Sequence, residues 1–223
     1  MCGRFSVTHE DWDILTDIYG LGDARFVAPA PRYNIAPTQE VPALYWDMEA
    51  DRPQIAPMRW GLLPDSAYAT INARSESLLQ RPTYRSLVEN MRCLIIADGY
   101  YEWAKGTSPK EKQPYYVRLR DHRLFAMAGL HSIRRHPKTE QPMHTFTIIT
   151  TAGNEAMQQI PHDRMPAILK RSQLQTWLMP QTKPSDALSL LQPYPADQLE
   201  IYRVSTLVNR WQNDTADCIR AIT

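Results

Sequence analysis

The sequence lacks any run of about 18 apolar residues, and its amino terminus lacks a basic segment followed by an apolar stretch. Neither a membrane span nor a secretory signal is therefore expected, and the chain reads as intracellular and soluble. Cysteine is scarce: Cys2, Cys93 and Cys218 are odd in number, far apart and in no CxxC pairing. A disulfide framework and a cysteine-based zinc site are thereby excluded. Glycine is scarce as well, with 8 against 18 prolines, so many connections must be rigid loops. Net charge is nearly absent too, at +1, and gives no global attraction to nucleic acid.

What is present is a globular composition. With 43% hydrophobic and 22% charged residues, 223 residues suffice for a real core, at a length of one large domain or two small ones. No repeat, low-complexity tract or composition break marks a linker, so one domain over residues 1–223 is expected. Charge is unevenly spread: residues 61–140 carry thirteen basic against eight acidic side chains. Of the 25 basic residues 19 are arginine, whose planar fork suits phosphate or carboxylate.

Thr8 and Asp11 form a capping-box pattern ahead of Trp12, Ile14, Leu15, Ile18 and Tyr19, which recur at helical spacing up to Gly20. A helix over 9–19 follows. Strands are expected at Val41–Trp46, Ile55–Trp60, Arg92–Ala97, Tyr115–Arg120, Leu124–Leu130 and Thr145–Thr151, where β-branched and aromatic residues concentrate. Helical stretches are expected near Ser75–Asn90 (interrupted at Pro82), Asn154–Gln159, Ser172–Met179 and Ser185–Leu191, and a solvated hairpin loop at Ala104–Pro114. The mixture reads as α+β, a mostly antiparallel, barrel-like sheet flanked by helices.

The most informative residue is the second. Methionine aminopeptidases remove Met1 when a small residue follows, so Met1-Cys2-Gly3 predicts a mature chain starting at Cys2. That terminus is a 1,2-aminothiol, with an amine of reference pKa about 7.7–8.0 and a thiol of about 8.5. Both nucleophiles are partly available near neutral pH. An aldehyde can condense with the amine, and the thiol can then close the imine to a durable five-membered thiazolidine. Gly3 leaves room beside the backbone, and Arg4 adds a fork suited to phosphate.

Eight ordered blocks extend this reading: Met1–Phe5, Arg32–Thr38, Trp60–Pro64, Ile71–Glu76, Arg92–Leu94, Ala97–Trp103, His162–Pro166 and Ser205–Asn209. In these blocks the chain resembles the SRAP (SOS-response-associated peptidase) family, which includes bacterial abasic-site processing proteins. The resemblance implies a single SRAP domain that senses abasic sites in single-stranded DNA and crosslinks to them through Cys2. It also implies lyase-type and crosslink-reversal chemistry, and action at single-strand/double-strand junctions. Catalytic roles are implied for Cys2, Asn72, Glu102 and His162: His162 assisting sugar ring opening, Glu102 moving the amine's proton, Asn72 holding sugar and amine in register. DNA contacts are implied at Arg4, Arg74, Pro37 and Thr150. A monomer without cofactor or metal, at the nucleoid or replication fork, is expected.

Two departures stand out: the stretch from Pro64 to Asn72 is short and lacks a tryptophan often found there, and Pro161 separates Ile160 from His162. Trp60 and Trp103 are candidate walls of the site, with core packing as the alternative. His131, His136 and His144 show no metal-ligand spacing. Other readings of a Met-Cys-Gly start remain open: an N-terminal-cysteine amidohydrolase, a protease acting in trans, or a non-catalytic single-stranded-DNA binder.

Overall fold

The computed structural model describes residues 2–9, 14–15, 29–62, 70–104, 112–136, 139–160 and 162–222. Its centre is a closed barrel. Strand β3 (Glu40–Asp47) pairs antiparallel with β4 (Arg52–Trp60) and with β6 (Arg92–Ala97), β6 with β9 (Phe125–Arg135), and β9 with β10 (Pro142–Ala152). Parallel pairing of β10 with β4, at Thr145↔Arg59 and Phe146↔Trp60, closes the ring. Three short strands extend it: β5 (Asn72–Arg74) and β11 (Arg164–Pro166) on β10, and β12 (Ile168–Leu169) on β9.

Alternation along each strand fills the barrel from one face. Met58, Trp60, Ile95, Met127, Phe146 and Ile148 are fully buried. Packing is tight enough that a Cβ on Gly129 would lie 2.3 Å from the Ile95 side chain and 2.9 Å from the Thr147 carbonyl oxygen. Only glycine fits there.

A second, five-stranded sheet runs β13 (Leu199–Arg203), β8 (Gln113–Leu119), β7 (Gly99–Ala104), β1 (Arg4–Val7), β2 (Arg32–Ile35). One residue, Asp98, joins β6 of the barrel to β7 of this sheet. Its buried carboxylate accepts from Ser6 Oγ at 2.5 Å and the Thr8 backbone N–H at 2.6 Å. The amino-terminal strand is thereby clamped at the junction of the two sheets.

The helices are short: α1 (Pro82–Asn90), α2 (Leu174–Leu178) and α3 (Pro184–Ser189). Buried Arg92 ties two of them together. Its guanidinium donates to the Val88 and Glu89 carbonyls at the end of α1, and to Trp177 and Met179 at the end of α2, at 2.5–2.7 Å. Those carbonyls lack helical partners, and the cation also complements both negative dipole ends.

The carboxy-terminal segment covers one face of the second sheet. Asn34 Nδ2 lies 2.8–3.1 Å from the Val208, Arg210 and Asn213 carbonyls, while Asp214 accepts from the Tyr33 and Asn34 backbone N–H groups. The exposed edge at β2 is thus occupied. Among the described residues no helix is long and apolar enough to cross a membrane.

The six expected strands all form, several with longer ends. Pro82 does not interrupt a helix but starts one, after a 3-10 turn at Ser75–Ser77. Asn154–Gln159 is a 3-10 turn capped by Asn154. Asn72–Arg74 is a further strand, not among the expected ones. Ala104, Gln113 and Pro114 belong to strands, so the hairpin loop is shorter than expected, and residues 105–111 lie outside the described residues. Of the helix expected over 9–19, His9 is not helical, Ile14 and Leu15 are helical and buried, and the remainder lies outside the described residues.

Candidate functional site

The site forms where β1, β5 and β7 meet the segment that carries His162. Cys2 is fully buried just ahead of β1, and its thiol lies 3.6 Å from the Arg4 carbonyl oxygen. The Cys2 carbonyl accepts from Asn72 Nδ2 at 2.8 Å. β5 is held in turn by β10, with Asn72 paired to Ile148 and Arg74 to Thr150. Among the described residues Asn72 Oδ1 is buried with no partner, an acceptor left at the edge of Cys2.

Glu102 arrives on β7, where alternation separates two faces. Tyr101 and Trp103 pack on the far face with Val208 and Cys218, and Trp103 Nε1 donates to Asn209 Oδ1 at 2.7 Å. Tyr100 and Glu102 take the other face, where Tyr100 donates to the Met157 sulfur at 3.4 Å. Trp103 therefore does not wall the site. Trp60 lies inside the barrel, donating to the Ile71 carbonyl at 2.9 Å and stacking on Phe146. Neither indole is a base-stacking platform.

Burial pushes the Glu102 carboxyl up to about 7, with Asp163 adding to the rise and the positive amino terminus opposing it. Burial also pushes the Cys2 thiol up, and the Glu102 charge pushes it the same way. The thiol is therefore held protonated. Glu102 Oε2 lies 3.1 Å from His162 Nε2, while His162 Nδ1 lies 3.0 Å from the Arg164 carbonyl oxygen. Nδ1 also lies 3.4 Å from the Arg164 backbone nitrogen; the shorter contact, to an oxygen that only accepts, favours a proton on Nδ1 and leaves Nε2 facing Glu102. The carboxyl and the imidazole are thus close enough for a proton to pass between them.

Behind His162, buried Arg164 forms a bidentate pair with Glu76, one contact at 2.9 Å, and donates to the Thr150 carbonyl at 2.5 Å. That pairing holds Glu76 down to about 2, chiefly through the hydrogen bond from Arg164. Neither residue was assigned a role from sequence, although both lie in matching blocks. Their opposite charges were the only available signal, and 88 residues separate them.

The four residues expected to be catalytic converge: Asn72 holds Cys2, and Glu102 faces His162. The expected DNA contacts divide. Arg74 is exposed, two residues beyond Asn72 and on the same face of β5; Arg4 and Pro37 are half-buried. Thr150 is fully buried, its hydroxyl 3.4 Å from the Ala73 carbonyl and 3.2 Å from Arg164. Pro161, and residues 63–69 of the short loop, lie outside the described residues.

The chain is similar to the abasic site processing proteins YoqW and YoaM of Bacillus subtilis (strain 168), each 40% identical. The YoqW match covers 99% of this chain and 100% of that protein; the YoaM match covers 99% and 98%. Among solved structures it is similar to a phage-related protein of Bordetella bronchiseptica, at 30% identity and TM-score 0.73, over 91% of this chain and 94% of that one. A Bacteroides thetaiotaomicron protein shares the fold at TM-score 0.79 and 23% identity, over the whole of both chains. The family model for SOS response associated peptidase (SRAP) matches residues 1–211, and the chain belongs to that family.

Proposed function

We propose that this protein processes abasic sites in single-stranded DNA by covalent capture, with Cys2 as the first residue after removal of Met1. The names of its Bacillus relatives, abasic site processing proteins, support the substrate. The observation that carries the chemistry is buried Cys2 beside Glu102, whose carboxyl is raised to about 7 and lies 3.1 Å from His162.

An abasic deoxyribose exposes an aldehyde only when its ring opens, and His162 assists that opening by moving a proton at Nε2. Ionised Glu102 takes a proton from the Cys2 amine, which adds to the aldehyde carbon. Loss of water gives the imine. The Cys2 thiol then adds to the imine carbon, its proton passing to nitrogen, and closes a thiazolidine; aldehyde plus aminothiol yields thiazolidine plus one water. Asn72 holds Cys2 by its carbonyl and offers Oδ1 to the amine or the sugar hydroxyl. Protonated Glu102 can return a proton to the ring and so assist reversal or elimination.

Arg4 and Arg74 contact phosphates on either side of the lesion, with Pro37 beside the path and Thr150 supporting it from beneath through Arg164. Such contacts position a strand without reading its sequence.

The test is a denaturing gel after heating the protein with a single-stranded oligonucleotide bearing one abasic site. A shifted band in the wild type and none in Cys2→Ala supports capture. The absence of a band from chain whose mass shows Met1 removed overturns it and favours amide hydrolysis at Cys2. Capture should also accelerate as pH rises through about 7, because Glu102 acts as a base only when ionised. Glu102→Gln should slow capture and flatten that rise.

A further inference from the structure

Two histidines outside this chemistry meet at the opposite end of the barrel. Register sets Phe146 of β10 opposite His131 of β9, and alternation puts His144 on the same face, two residues from Phe146. This is the inward face, shared with Trp60 and Met58. The two imidazoles lie 6.4 Å apart with planes within 14°, and Tyr45 of β3 packs against both, at 5.1 and 5.5 Å.

His131 is 2% exposed, yet among the described residues neither of its ring nitrogens has a hydrogen-bond partner, and the buried Nδ1 of His144 has none either. A buried polar atom left unpaired is costly, so three at one spot require an explanation. A histidine kept for packing usually donates one N–H to a carbonyl. Neither nitrogen of His131 does so.

The donor set identifies the ligand. Among the described residues no group of three or more His, Cys, Asp or Glu gathers anywhere, so the pair carries no anionic donor. Hard oxygen-seeking cations such as magnesium and calcium are disfavoured, whereas imidazole suits zinc, copper and nickel. At the tetrahedral angle of zinc, two metal–nitrogen bonds of about 2.0–2.1 Å, each extended by half an imidazole, hold ring centres about 5 Å apart, so the two rings would close by about 1 Å to share one ion.

We propose that this mouth of the barrel is a two-histidine site for a d-block cation such as zinc, His131 and His144 supplying two ligands and solvent or a small anion the others. His144 and Thr150 are six residues apart on β10, about 20 Å, so this site is separate from that of Cys2.

Zinc titrated into the full chain against a chromophoric chelator tests it, comparing wild type with His144→Gln and His131→Gln. Each substitution is expected to abolish one equivalent of binding, or weaken it at least tenfold, and to leave crosslinking yield unchanged. The Cys2 aminothiol also binds zinc, but Cys2→Ala would remove a different equivalent. Equal stoichiometry and affinity in all three proteins, or no zinc bound by the wild type, overturns the proposal. Should His131→Gln fail to fold, half-buried His144→Gln decides the matter alone.

Discussion

Glu102 is a carboxyl held where its charge is least welcome, and its cost should be measurable. Its pKa is raised, so the folded state binds the proton more tightly than the unfolded one. The stability it contributes is complete below about 4.5 and is lost as pH rises through about 7. Relative to a neutral side chain, the ionised form costs up to about 3 kcal/mol. Glu102→Gln should therefore raise the melting temperature at pH 8.5, by several degrees at about 2–4 °C per kcal/mol, and leave it unchanged at pH 4. An equal shift at both values would mean that the carboxyl is stabilised elsewhere. The same residue shows what sequence could and could not reveal of the site. Cys2 stood out by its own chemistry, whereas Asn72, Glu102 and His162 were identified through resemblance. The Glu76–Arg164 pair behind His162 was hidden because only folding brings its ends together.

At the scale of elements, legibility followed burial. Arg92–Ala97 lies in the barrel wall, buried throughout, and its apolar run announced a strand. β1, β2 and β5 are short and partly polar, and their side chains are spent on contacts with distant segments, so no local periodicity marks them. Arg92 looked like the polar start of a strand and is instead the fastening of α1 and α2. Arg92→Ala would leave the Val88, Glu89 and Trp177 carbonyls unpaired, and a loss of about 3 kcal/mol or more is expected in denaturant unfolding. Arg92→Lys, which keeps the charge but not the fork, should fall between. A loss below about 0.5 kcal/mol for Arg92→Ala would show that other groups satisfy the carbonyls.

For the whole molecule, a near-neutral chain must draw DNA affinity from a few local charges. Each phosphate contact on a single strand contributes about 0.7 to the slope of log affinity against log salt. Arg74→Ala should lower that slope by about 0.7 and weaken binding of intact single strands without sequence preference. An unchanged slope would remove Arg74 from the strand's path. The barrel, second sheet and carboxy-terminal cover act together here: Asp98 clamps β1 where the sheets join, and β10 carries β5, so Cys2 and Asn72 are fixed by different sheets. That closed arrangement was only partly legible, since a barrel was expected but its parallel closure of β10 onto β4 depends on pairing that no local pattern encodes.

Covalent capture at Cys2 can be read out by peptide mass spectrometry of the heated, protease-digested crosslink. The expected product is a peptide beginning at Cys2, joined to the abasic deoxyribose fragment with the loss of one water and stable without reductant. An adduct mapped to a lysine, or one that survives only after borohydride reduction, would contradict the account.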